Sequence, residues 1–136
     1  MSYGVSAALQ AAIYQHLLAD TALTALVGTA IYDNAPSGSL PDTYISLGPE
    51  DVRDRSDKTG YGALHVVTVS VISEAAGFQQ AKLVGAAISD ALQGAALTLS
   101  RGTLCYINFE RATARRVGTG ETRRIDLRFM VRVDDD

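Results

Sequence analysis

The sequence predicts an α+β fold: a four-stranded, mainly antiparallel sheet with two helices packed on one face, in the order α-β-β-α-β-β. Three observations predict it. Apolar residues recur at helical spacing near the N-terminus and again just before Gly94. The segment "ALHVVTVSVIS" at 63–73 is apolar on both faces, as a central strand covered on both sides would be. From Thr103 onward, two alternating stretches flank a glycine-containing turn, which reads as a hairpin.

The first helix follows from Val5, Leu9, Ile13 and Leu17, with Ala8, Ala12 and Leu18 widening the apolar stripe. Ser2 or Ser6 is available to cap its start. After Asp20 and Thr21, "ALTALVG" is a short second helical turn stopped by Gly28. A brief extended piece around Ile31 and Tyr32 leads to a loop punctuated by Pro36, Gly38 and Pro41. "YISLG" is a short strand. The chain then turns polar from Pro49 to Gly62, where Glu50, Asp51, Arg53, Asp54, Arg55, Asp57 and Lys58 crowd together. Alternating charge signs and no implied apolar pocket read as a solvated hairpin tip or a docking arm.

Within the central strand, Val67, Val69 and Val71 share one face; Leu64, Val66 and Ile72 share the other. A helix over 77–93 buries Leu83 or Val84 with Ala87, Ile88, Ala91 and Leu92, and Gly94 stands as its C-terminal glycine. An extended "ALTLS" precedes the last strands, at 103–116 and 121–133, which turn around Gly118-Thr119-Gly120. A symmetric turn sets Phe109 against Phe129, Ile107 against Val131, and Cys105 against Val133. The same register puts Glu110 opposite Arg128 and Tyr106 opposite Arg132 on the other face. A slip of one residue would turn every side chain to the wrong side.

The 136 residues fit one domain, 1–136. Hydrophobic residues make up 47% of the chain, yet no apolar run approaches the roughly 20 residues of a membrane span. The opening "MSYGVSAALQ" lacks the features of a secretory signal, so a cytoplasmic location is expected. Cys105 is the only cysteine, which excludes an intrachain disulfide and a multi-cysteine metal site. Alternation in "TLCYINF" makes it a small buried group.

A net charge of −3 hides an asymmetry. Residues 1–100 carry four basic and nine acidic side chains, residues 101–133 carry eight and three, and three aspartates close the chain. A basic segment with an acidic tail suits nucleic-acid contact or docking on another subunit. The pI near 5.3 weighs against a dedicated DNA binder.

No catalytic motif emerges. His16 and His65 have no second histidine or carboxylate at metal-ligand spacing, and each reads as a locally hydrogen-bonded histidine. "SGS" at 37–39 is loop chemistry. "VGTGETRR" holds Gly118-x-Gly120 without a third glycine or a following helix, so a hairpin turn explains it. Asp134, Asp135 and Asp136 read as a solvated tail. The expectation is a protein with no cofactor, no metal and no enzymatic activity.

The second sheet face carries Arg124, Arg128, Met130, Arg132 and Tyr106 beside Leu64, Val66 and Ile72. That mixture is too apolar to be merely solvated and too charged to be core, and it has the composition of an interface.

Three blocks, "ALQAAIYQHLLADTALTALVGTAIYDNAP" at 7–36, "HVVTVSVISEAAGFQQAKLVGAAISDAL" at 65–92 and "RRIDLRFMVRV" at 123–133, occur together across nearly the whole chain. In order, spacing and composition the chain resembles the tail-completion, or tail-terminator, proteins of long-tailed phages and phage-derived particles, those of gene transfer agents above all. The resemblance implies a structural role. Such proteins form a homo-hexameric ring at the head-proximal end of the tail tube. The ring stops tube polymerisation and offers the surface on which the head connector, or stopper, attaches; DNA passes through its channel without sequence-specific binding.

The implied partners are the tail tube protein and the connector, with no membrane. The implied location is the bacterial cytoplasm during assembly and then the tail neck. The subunit interface is expected at Arg124, Arg128, Met130, Arg132, Tyr106 and Glu110. An axial docking arm is expected at Asp51, Arg53, Asp54, Arg55, Asp57 and Lys58. The competing expectation is a DNA-contacting module that uses Arg111, Arg115, Arg116, Arg123, Arg124, Arg128 and Arg132 as a phosphate-binding stripe.

Overall fold

A computed structural model describes residues 3–33, 38–56, 61–118 and 121–135. The chain runs α1 (Ser6–Ala19), α2 (Thr21–Val27), β1 (Ile31–Tyr32), β2 (Thr43–Asp54), β3 (Gly62–Ser73), α3 (Gln79–Leu92), β4 (Thr103–Val117) and β5 (Thr122–Asp134). The fold is α+β as predicted, with two differences in the count. Among the described residues there are three helices, and the sheet is five-stranded and mixed, in the order β1-β2-β3-β5-β4. β1 pairs parallel to β2 through Ile31–Ile45 and Tyr32–Ser46. β1 is the brief extended piece expected around Ile31 and Tyr32; two residues are too few to show an alternation, so its place in the sheet carries no sequence signal.

α1 forms where its stripe requires. Val5, Leu9, Ile13 and Leu17 are buried, with Ala8 beside them. Ser6 does not cap it, being already helical with Val5 as the N-cap residue, and Ser2 lies outside the described residues. Asp20 ends the first helix and caps the second, its carboxylate accepting from Leu23 N–H at 2.9 Å. Gly28 then takes a φ of 61°, open to glycine at no steric cost. In α3 the choice between Leu83 and Val84 falls to Val84, buried with Ala81, Gly85, Ile88 and Leu92; Leu83 faces outward.

One apolar cluster joins the helices to one sheet face: Leu9, Ile13 and Leu17, Leu23, and Val84 and Ile88 meet Ile45, Val69, Val71, Ile107, Ile125 and Phe129. Phe129 sits at its centre with no exposure, and Phe109 meets it edge-on, ring centroids 5.9 Å apart.

Two strand readings are corrected. β2 does not stop at Gly48 but runs on through the polar segment to Asp54, with Arg53 opposite Leu64 and Asp54 opposite Ala63. Its backbone ladder, not apolar content, holds it there. In β4 an extra residue sits between Leu104 and Tyr106, so Leu104 rather than Cys105 faces Val133. Cys105 is therefore exposed, its thiol donating to Asp134 Oδ2 at 3.3 Å. The "ALTLS" stretch is not part of a strand.

Phe129→Ala is expected to cost about 3–5 kcal/mol, because it removes a fully buried ring and leaves a cavity. Phe109→Ala, at a site 41% exposed, should cost a small fraction of that. Urea unfolding of the two variants checks the ordering.

Candidate assembly surface

The register of β5 against its neighbours decides what the uncovered face holds. Arg132 pairs with Leu64, Met130 with Val66, Arg128 with Thr68, Asp126 with Ser70 and Arg124 with Ile72. Paired residues share a face, so the arginines lie with Leu64, Val66 and Ile72 opposite the helices, as their parity predicts. β4 adds Tyr106, Asn108, Arg111, Thr113 and Arg115 to that face.

The arginines lie flat across the sheet and bind one another's counter-charges. Arg128 grips Glu110 with two hydrogen bonds, at 2.6 and 3.0 Å. Glu110 is an extra residue at a second bulge, between Phe109 and Arg111, so the expected contact forms although Arg111 is the ladder partner of Arg128. Hydrogen bonding to Arg128 lowers the Glu110 pKa and raises that of Arg128. Asp126 collects three donors: Ser70 Oγ at 2.6 Å, Arg124 Nε at 2.9 Å and Arg115 Nη2 at 3.5 Å. Burial pushes its carboxyl up, but the hydroxyl and the two guanidinium groups outweigh it and hold the pKa below the usual aspartate value. Arg132 reaches Arg55 O at 3.0 Å and Asp134 Oδ1 at 3.5 Å. It lies over Gly62, where a Cβ would collide with its guanidinium group.

Asp126 and Ser70 escaped the sequence reading, although Asp126 shares its strand parity with Arg124 and Arg128. The expected phosphate stripe is broken up by the same register. Arg116 pairs with Arg123, on the helix side of the sheet, and Arg123 stacks 5.7 Å over Phe78. Of the arm residues, Asp51, Arg53 and Asp54 belong to β2 and Arg55 follows it, its N–H donating to Gly62 O at 2.7 Å. Arg53 Nε lies 3.3 Å from Asp51, and Ser56 holds Asp54 through its N–H and hydroxyl. Asp57 and Lys58 lie outside the described residues, as do Thr119, Gly120 and Asp136.

Glu50 is not a tip residue at all. The register of β2 slips between Leu47 and Glu50, where Gly48 takes a φ of 93°, and the extra residue turns Glu50 to the helix side. There its carboxylate accepts from Ser6 Oγ, from Tyr3 OH at 2.8 Å and from His65 Nδ1 at 3.2 Å. α1 has no acidic residue in its first turn; Glu50 supplies the negative charge that a helix N-terminus favours. His65 is fully buried, and its Nε2 has no partner among the described residues. His16 Nε2 meets Ala91 O at 2.8 Å. Each histidine thus makes a hydrogen bond, but across the fold rather than locally, and that of His65 satisfies only one ring nitrogen. Ser6 and His65 both spend theirs on the carboxylate, so no nucleophile–base contact arises here.

Burial pushes the Glu50 carboxyl up, but its three donors outweigh that and leave its pKa below the ordinary value. A depressed folded pKa means that Glu50 contributes stability in full above the unfolded glutamate value, about 4.3. That contribution is lost as pH falls through the lower folded value. Glu50→Gln should therefore be destabilising near neutral pH, with a cost that shrinks as pH falls below about 4.3. Urea unfolding of both proteins across that range checks the sign.

A family model described as tail completion protein gp17 matches residues 11–134. No curated protein matches the chain. A solved chain from the virion of a native gene transfer agent particle is 61% identical, with a TM-score of 0.94 over 98% of this chain and 99% of that one. With nearly every described element inside the matched span, the chain belongs to the tail completion protein gp17 family and is a tail completion protein of a phage-like particle.

Proposed function

We propose that this protein forms a hexameric ring at the head-proximal end of a tail tube, where it stops tube growth and carries the head connector. The observation that carries this reading is the uncovered sheet face. Leu64 and Ile72 are covered on this face by polar side chains rather than by a helix, and Met130 is half-buried among them. That composition suits a surface for a second protein, since Arg, Met and Tyr are enriched at interfaces. Arg124, Arg128, Met130, Arg132, Tyr106 and Glu110 form the subunit contact. The β2–β3 hairpin, with Asp51, Arg53, Asp54 and Arg55, reaches axially toward tube or connector. The role is structural and needs no catalysis, and the whole of 1–136 acts as one domain. The ring is assembled in the cytoplasm and ends in the tail neck. No helix among the described residues is long and apolar enough to cross a membrane.

DNA threads the channel without being gripped. Four of the seven arginines of that stripe already face carboxylates: Arg115 and Arg124 share Asp126, Arg128 holds Glu110 and Arg132 lies beside Asp134. Each neutralised arginine removes a counterion-releasing contact, which is the chief source of non-specific affinity. A random-sequence duplex titrated by fluorescence anisotropy should show weak binding with a shallow salt slope. Tight binding that collapses with salt would instead favour the DNA-contacting module.

Replacing Arg128 and Arg132 together with glutamate sets new carboxylates beside Glu110 and Asp134. Electron micrographs of particles made with this variant should show overlong tails or detached heads. Particles of normal tail length with firmly attached heads would remove this face from the interface. For the arm, Arg53→Ala with Arg55→Ala should leave the fold intact, since exposed substitutions shift stability by only about 0.5 kcal/mol. Heads should nonetheless separate from tails in the same micrographs.

A further inference from the structure

The sheet has two free margins, and they carry opposite charge. At one of them β4 is paired, among the described residues, only with β5. The end of α3 closes the first part of that margin: Gly94 N–H donates to Ile107 O at 2.9 Å, and Phe109 N–H donates to Gln93 Oε1 at 2.7 Å. These contacts fix which residues turn their backbone outward. Past the bulge at Glu110, ladder alternation turns the N–H and C=O groups of Ala112, Ala114 and Arg116 away from β5. None of these groups has another partner among the described residues. On the helix side of the same margin lies a groove of about 290 Å³, lined by Gly85, Ala86, Ser89, Phe109, Ala112 and Ala114. An unpaired edge beside a groove for alternate side chains is what an added strand needs.

At the other margin β1 covers only Ile45 and Ser46 of β2. From Leu47 to Asp54 no strand among the described residues lies outside β2. With Glu50 turned inward to α1, this stretch carries Asp51 and Asp54 against Arg53, whereas the free part of β4 carries Arg111, Arg115 and Arg116, and Glu110 beside them is held by Arg128. Face matches face as well. Asp51 pairs with Val66 on the open side, where Arg111 and Arg115 lie. Val52 pairs with His65 on the helix side, where Ala112 and Ala114 border the groove.

We infer that a second copy of this chain is the occupant: the β2 margin of one subunit adds to the β4 margin of the next, so that the sheet continues from subunit to subunit. This rests on the proposed ring. Margins at opposite ends of one sheet meet head to tail, the arrangement that closes into a ring. Asp51 then moves from the axial arm to the lateral contact, beside Arg111. The neighbour reaches the open face from its β4 side, through Tyr106, Glu110 and Arg128.

Wild-type protein is first assayed for rings by sedimentation at rising concentration and by imaging of particles. No ring in either assay sinks the ring itself. Where rings form, Ala114→Pro removes an outward N–H while leaving the β4–β5 ladder intact, as proline on an edge strand can. It should raise the concentration needed for assembly at least tenfold with an unchanged circular dichroism spectrum. Arg111→Glu and Asp51→Lys should each weaken assembly by about tenfold or more, as close charge pairs across interfaces do. Combined in one chain, they should bring assembly back to within about threefold of wild type, because each new charge again meets its opposite. Rings of Ala114→Pro at the wild-type concentration, or no recovery in the double variant, would overturn edge pairing while the ring stands. If Ala114→Pro fails to fold, the charge exchange alone decides.

Discussion

The constraint on which the rest depends is the pairing of β3 with β5. From Gly62 opposite Asp134 to Ser73 opposite Arg123 the two strands run antiparallel without a slip. An unbroken period of two sorts both strands at once. Val69, Val71, Leu127, Phe129 and Val131 go to the helices, while Leu64, Ile72, Arg124, Arg128 and Arg132 go to the other side. Shifting that one pairing by a residue would bury arginines under α3 and expose Phe129, so the cost of disorder here is the whole core. The irregularities are kept to the flanks. β2 slips once and β4 twice, each against a straight partner.

Those slips do chemical work that strict alternation would not permit. The one in β2 turns Glu50 inward, onto the start of α1, where two hydroxyls and a histidine meet it. The second one in β4 adds Glu110 where Arg128 can hold it with both nitrogens. A carboxylate moved inward costs desolvation, and only several donors at once offset it. A carboxylate kept outside meets a guanidinium with little cost and little gain. Glu50 therefore ties a helix to the sheet, and Glu110 chiefly keeps Arg128 extended across its face.

What was legible in the sequence follows the same division. Where alternation or helical spacing is unbroken, the residues announce their faces: Phe109 with Phe129, Ile107 with Val131, and the stripe of α1 all stand where their periods put them. Where a strand slips, parity misleads. Cys105 reads as buried because one extra residue beside it leaves no trace in composition, and Glu50 reads as a tip residue for the same reason. β1 is legible as an extended piece at Ile31 and Tyr32, but not as a sheet member, because a parallel pair of two residues has no pattern of its own. Of the assembly surface, the arginines and Met130 were legible from strand parity. The contact of Asp126 with Ser70 was not, because it joins residues 56 apart in the chain, nor was that with Arg115, because the bulge at Glu110 shifts the register there.

The charge asymmetry between the two parts of the chain takes on a spatial meaning once the sheet order is known. Because β5 lies inside β4, the basic segment that ends the chain occupies one side of the sheet, and the acidic stretch of β2 occupies the other. Sequence separation has become separation across the molecule. An isolated domain would not benefit from it, since opposite charges held strands apart attract each other only weakly through screening solvent. Copies set side by side would bring those charges together in every contact, in one sense of rotation only. The same distribution opposes the reversed contact, in which two β4 margins would set Arg111 and Arg115 of one copy against those of the other. Like-charge contact of that kind costs several kcal/mol, so this layout selects head-to-tail association over the symmetric dimer.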